Sequence, residues 1–239
     1  SGGSVTSVSR AFAGNVTAGD GRKVIIGVWG ALEVANDNPI VAGDISTSGT
    51  ATLGSWTLHA QAVETGVGYN FRAAILSADI TGDGSLTVTL GSQPISSYLG
   101  IAAGEYSGVG SAVDTSTGNS DTGSTAIDSG DVTTTRGGMI FGVANIDPDS
   151  GADIVITQDG SFSVVFEEED YDLYATGSAI RRLLTAAMTD AASWTTPTGT
   201  EWAACAVAFD EFVAVPVLSL PGVQDVTATS ARPKVTLTY

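Results

Sequence analysis

The chain has 239 residues, with nine lysines and arginines against 26 aspartates and glutamates, for a formal net charge of −17. That balance excludes the basic footprint of a nucleic-acid binder and docking onto an anionic membrane surface. No apolar run approaches the roughly 18 residues of a membrane-spanning helix, and Cys205, the single cysteine, rules out a disulfide framework within the chain.

Strand signals follow one another quickly. "KVIIGVWGAL" is a nearly continuous apolar run, the pattern of a strand covered on both faces. "SWTLHAQAVE" alternates loosely, "NFRAAILSAD" follows, and "SLTVTL" alternates cleanly at Leu86, Val88 and Leu90. "YLGIAAGEYSG" closes this half. Gly, Asp, Asn and Ser cluster between the runs, as turns require.

Next comes "SGVGSAVDTSTGNSDTGSTAIDSGD", with hardly an apolar residue, read as a long crossover strand-loop because the pattern then starts again. "GMIFGVANI" echoes "VIIGVWGAL" through a shared I-x-G-V. "AIRRLLTAAMTD" echoes "FRAAILSADITG", and "EWAACAVAFDEF" echoes "SYLGIAAGEYSG". The order is the same in both halves, which predicts two related strand sets. Each set alone leaves a hydrophobic face bare, so residues 1–212 are expected to form one all-β sandwich. Ile180, Leu183, Leu184, Ala187 and Met188 also fit helical spacing. The repeat favours a strand there.

After Phe212 the texture changes. Residues 213–239, with Pro216 and Pro221, read as a linker and the first strands of a further module. Val235, Leu237 and Tyr239 share one face of the last run. A lone hairpin is marginal in water, so these strands are expected either to be completed by further chain or to pair with a partner, with Val235, Leu237 and Tyr239 as the partner-contact candidates.

The succession "TAGDGRKVIIGVWG", "SWTLHAQAV", "FRAAILSAD", "SLTVTLG", "GIAAGEYSGV", "VTTTRGGMIFGVANI" and "TEWAACAVAFDEF" resembles a family of jelly-roll modules. These occur in tailed-phage head fibres, decoration proteins and tail-associated proteins, and in some secreted bacterial proteins. "PGVQDVTATSARPKVTLTY" resembles the opening of an immunoglobulin-like or fibronectin-type module. The resemblance implies a jelly-roll-like antiparallel sandwich on a virion surface. It also implies contacts to capsid or other virion proteins and a homo-oligomer, with a trimer among the options. The family brings no catalytic residues.

Candidate sites are few. His59 is the only histidine and Cys205 the only cysteine, so a nucleophile–histidine pair or a zinc site lacks members. Cys205 reads as a small buried hydrophobe and His59 as a strand histidine at a rim, and no enzyme activity is expected. "FEEEDYDLY" gathers Glu167, Glu168, Glu169, Asp170 and Asp172. On a strand these carboxylates alternate between faces, so the stretch is expected to project as an acidic rim. Tyr171 and Tyr174 within it are candidates for touching a glycan or a neighbouring subunit.

"NIDPDSGADIVI" spaces Asp147, Asp149 and Asp153 as D-x-D-x-G-x-D, the spacing of a calcium loop. Calcium needs six to eight oxygens, and the EF-hand pattern places a bidentate glutamate at position 12. Here that position is Gln158, and no helix flanks the loop. A plain β-turn is preferred over calcium, and no other cofactor is expected.

The four tryptophans, Trp29, Trp56, Trp194 and Trp202, lie mostly within strand runs and read as core. That favours a virion structural protein over its rival, a carbohydrate-binding module of a secreted or host-adsorption protein. A glycan hydrolase built on the Glu167–Asp172 cluster ranks third.

Overall fold

A computed structural model describes residues 6–33, 39–65, 69–91, 93, 98–147, 156–168 and 176–211. The expectations for residues 213–239, and for Asp149, Asp153, Tyr171 and Tyr174, lie outside the described residues.

The described chain is all-β apart from one 3-10 turn, Ala42–Asp44. The first half supplies β1 (Val8–Ala11), β2 (Lys23–Glu33), β3 (Ile45–Gly49), β4 (Thr52–Leu53), β5 (Thr57–Thr65), β6 (Tyr69–Gly82), β7 (Leu86–Leu90) and β8 (Tyr98–Tyr106). The second supplies β9 (Val109–Thr134), β10 (Gly138–Ile146), β11 (Thr157–Gln158), β12 (Ser163–Glu168), β13 (Thr176–Leu184) and β14 (Met188–Glu211). All pairings are antiparallel. The arginine-leucine segment is β13, a strand, as the repeat indicated and helical spacing did not.

In the first half, β1 and β3 flank β7 in an outer sheet, while an inner sheet runs β5-β6-β2-β8. Apart from the consecutive inner strands β4, β5 and β6, chain order alternates between the two layers, the interleaving of a jelly roll. The second half repeats the plan. Its inner sheet runs β12-β13-β10-β14, using the C-terminal part of β14. Its outer sheet pairs the N-terminal part of β14 with β11 and with the C-terminal part of β9. Strands β9 and β14 thus each serve both layers. They pass from one to the other where the register breaks, around Ser124 and Thr195–Thr200. Bends of this kind make the corners where strands switch sheets.

The two inner sheets pack face to face. Along β2, Ile25, Trp29 and Ala31 point into the core between the halves, with Phe71, Ala73 and Ile75 of β6 beside them. Met139, Phe141 and Val143 of β10 and Ala203, Cys205, Val207 and Phe209 of β14 close on them from the other side. The alternate residues bury outward. Val24, Ile26 and Val28 meet Leu86, Val88 and Leu90 of the first outer sheet. Ile140, Ala144 and Ile146 meet Ile127, Val132, Ala192 and Trp194 of the second. A strand with both faces covered has no polar side, which is why β2, β10 and β14 read as continuous apolar runs. A fully buried phenylalanine such as Phe141 contributes about 2–3 kcal/mol by burial.

The sequence assigned each half one bare face, covered only by the other half. The structure keeps that shared face, with the inner sheets of the two halves packed on one another, and adds to each half an outer sheet and a core of its own, making four layers in all. The I-x-G-V echo is also out of step. A Cβ on Gly27 would meet Val143 and Phe141 between the halves, whereas one on Gly142 would meet Ala192 and Trp194 on the far side. The two glycines therefore face opposite ways. With a side-chain period of two, matching them slips the alignment by one residue.

Candidate functional site

Most chemistry-bearing side chains are tied into the scaffold. His59, half-buried on β5, shares a 2.8 Å hydrogen bond between Nε2 and Ser77 Oγ. Its ring stands edge-on to Phe209 with centroids 5.3 Å apart. Burial, helped by the charge of Lys23, holds its pKa below the ordinary value. Cys205 is fully buried between the halves, and that burial pushes its thiol pKa far up, so at neutral pH it stays protonated and inert. Trp29, Trp194 and Trp202 are buried, and Trp56 packs against the first outer core. Trp194 Nε1 donates to Ser178 Oγ at 3.0 Å.

The calcium spacing begins at Asp147, just after β10. Its backbone N–H donates to Glu201 O at 2.8 Å, and its carbonyl accepts the Thr200 hydroxyl. These bonds fasten the loop's start to β14. Gln158, at the position where an EF-hand carries glutamate, is held in the β11–β14 ladder opposite Trp194. Of the acidic run, Glu167 and Glu168 end β12, opposite Ser178 and Gly177; Glu169, Asp170 and Asp172 lie outside the described residues. Among the described residues no cluster of three metal-ligating side chains occurs.

Among the described residues, two depressions bear on a site. The larger, about 470 Å³, lies at one end of the inner sheets, lined by Ala18, Gly19, Asp20, Lys23, Asp79 and Thr81. Lys23 is buried, and its ammonium is paired with the Asp79 carboxylate. The loop at its rim is clamped: Ala18 N–H donates to Asp83 at 2.6 Å, Thr17 N–H to Glu105 at 3.1 Å, and Arg22 to Glu105 at 2.7 Å. Nothing about the loop or the pairing alone names a ligand, since both sign pairs are internally satisfied.

The smaller, about 300 Å³, is a trough across three strands of the second outer sheet, with Asp128, Gln158, Asp159, Ser193 and Thr195 along it. It belongs to a pattern found at both ends of the molecule. On the first outer sheet Ser9 Oγ and Thr89 Oγ1 are 2.7 Å apart, with exposed Ser46 and Ser48 on the neighbouring strand. On the second, Thr133 Oγ1 and Thr189 Oγ1 are 2.8 Å apart. Each hydroxyl pair joins the strand before the repeat's long apolar strand to the strand that follows its inner hairpin. Sequence reading missed these faces because short Ser/Thr strands carry no motif; the register alone brings them together. Such faces can exchange hydrogen bonds with a polar partner. No family model, curated protein or solved structure matches this chain.

Proposed function

We propose that this chain is a non-enzymatic structural protein of a virion, displayed on the particle surface as a decoration or fibre protein. The observation that carries the reading is the pair of hydroxyl-bearing outer faces on a body whose tryptophans, cysteine and histidine are committed to packing. Four stacked layers make a stiff unit, and polar faces suit a protein that stands in solvent while anchored elsewhere. The strongly negative charge keeps such units apart and soluble. The sequence resemblance to phage jelly-roll modules supplies the virion context, and capsid or other virion proteins are the partners it names. Mass spectrometry and cryo-electron microscopy of purified particles test it. The chain should be present at a fixed stoichiometry on the outer surface; its absence from intact particles overturns the reading.

A second reading, a carbohydrate-binding module, is favoured by one observation, the trough with Asp128, Asp159 and Thr195 along it. Carboxylates and hydroxyls in a shallow groove suit sugar hydroxyls. Glycan-array binding that is lost in Asp128→Ala would favour this reading over the first.

A further inference from the structure

The outer sheets of the two halves share a three-strand plan and differ in what they present. In the first, Ser9 of β1, Thr89 of β7 and Ser46 of β3 stand in one row across the strands. In the second, the corresponding strands are β9, β14 and β11. There Asp128 of β9 lies opposite Ser193 of β14. From the other side, the N–H of Asp159, just after β11, donates to the Ser193 carbonyl at 3.0 Å. The row reads carboxylate, hydroxyl, carboxylate instead of three hydroxyls. The plan does not require the carboxylates, since the first half builds its row without them.

These two carboxylates form the walls of the 300 Å³ trough, a volume at the low end for small-ligand sites. Both residues are exposed. Asp128 Oδ1 accepts the Gly130 N–H at 2.6 Å, and Asp159 Oδ1 accepts the Ser161 N–H at 2.7 Å, so each carboxylate is held in place. Hydrogen bonds from the Ser161 side chain and backbone keep the Asp159 carboxyl below the usual carboxylate range. The next row along the trough is Ala126, Thr195 and Thr157. Trp194 and Ile127 are buried beneath the floor. Arg182 donates to Ser161 Oγ at 3.2 Å near one wall, but its charge is paired with Asp190. Neighbouring strands lie about 4.8 Å apart, so the backbones carrying Asp128 and Asp159 are about 9–10 Å apart.

We propose that the trough takes one ring of a neutral hexose glycan, held at opposite edges by Asp128 and Asp159, and rejects acidic glycans. This rests on the carbohydrate-binding reading of the trough. Ionised carboxylates only accept hydrogen bonds, so a ligand must bring donors to both walls. A pyranose carries hydroxyls on opposite edges, and the gap between the walls takes one ring with a hydrogen bond of about 2.7–2.8 Å at each side. Hydrogen bonds to charged acceptors are the stronger kind. Ser193 and Thr195 can donate or accept from the floor, and the Ala126 methyl meets ring C–H groups. A single ammonium satisfies one wall only. A uronic acid or sialic acid would bring its own negative charge between two fixed carboxylates, on a chain of net charge −17.

A glycan array read with the full chain tests this, carrying neutral hexose oligosaccharides beside matched uronic-acid and sialylated ones. Neutral glycans should bind and acidic ones should not. Asp128→Asn and Asp159→Asn keep the side-chain shape and an acceptor oxygen but remove the charge. Each should weaken neutral-glycan binding by about tenfold with an unchanged melting temperature, and the double variant should narrow the gap between neutral and acidic glycans. Thr89→Ala, on the first outer face, should leave binding unchanged. Neutral-glycan binding that survives both aspartate substitutions, or a preference for acidic glycans, overturns this assignment and leaves the carbohydrate reading standing. A folded chain that binds no glycan overturns both.

Discussion

Gly177 of β13 lies against the indole of Trp29 of β2, and a Cβ at position 177 would fall inside the ring. Gly100 of β8 presses on the same indole from another side, and Phe166 stacks near it with ring centroids 5.7 Å apart. One buried tryptophan from the first half is thus seated in a socket that both halves build. Gly177→Ala should destabilise the protein by about 3 kcal/mol, the upper end for overpacking a core, because neither the ring nor the paired strand can step back. Urea unfolding checks it. The variant Gly177→Ala, Trp29→Phe, with a smaller ring in the socket, should recover part of the loss.

Ser178, the next residue, faces the other core and accepts the Trp194 indole N–H at 3.0 Å, both side chains being buried. Ser178→Ala leaves that donor without its partner in an apolar surround. The expected cost is about 1–3 kcal/mol. Denaturant titration followed by Trp fluorescence reads both the midpoint shift and the change around the indole.

What was legible in the sequence follows from what fixes each feature. The all-β class and the two strand sets were readable because β2, β10 and β14 bury both faces, leaving unbroken apolar runs that recur in order. The strand state of β13 was readable only from the repeat, since Ile180, Leu183 and Leu184 also satisfy helical spacing. The outer sheets were under-read. Strand β3 is mostly Ser and Thr, and β11 is two residues long, so neither carries an apolar signal. The facing of each strand was misaligned by the shared glycine, because sequence similarity does not carry the pleat. The hydroxyl faces were invisible for the same reason: Ser9 and Thr89 are 80 residues apart and meet only through register.

His59 gives the fold a pH dependence. Burial favours its neutral form, so the folded pKa lies below the unfolded value of 6.5. As pH falls through 6.5 the unfolded chain takes up a proton that the folded chain resists, and stability drops until the folded pKa is passed. Melting temperatures between pH 7.5 and 5 should fall more steeply for the native chain than for His59→Gln. Parallel slopes would remove His59 from the account.

Calcium should not be needed for folding. Asp147 spends its carbonyl on Thr200, and Gln158 sits in a strand ladder instead of closing a coordination sphere. Melting curves in EDTA and in millimolar calcium should superimpose. A calcium-dependent rise that disappears in Asp149→Ala would restore the D-x-D-x-G-x-D loop as a metal site.

The halves should depend on one another despite owning separate outer cores. A chain ending near Ser107 would keep the packing of Val24, Ile26 and Val28 on Leu86, Val88 and Leu90. It would bare Ile25, Trp29, Phe71 and Ile75, all buried in the intact molecule. An apolar sheet face of that size is not tolerated by a soluble monomer. Expressed alone, the first half should aggregate, or should dimerise through the bared face in imitation of the native pairing. Co-expressed with the second half as a separate chain, it should be recovered as a soluble one-to-one complex. Light scattering on the separate and co-expressed products distinguishes these outcomes. A monomeric first half with a cooperative melt would mean that the core between the halves contributes little to the stability of either.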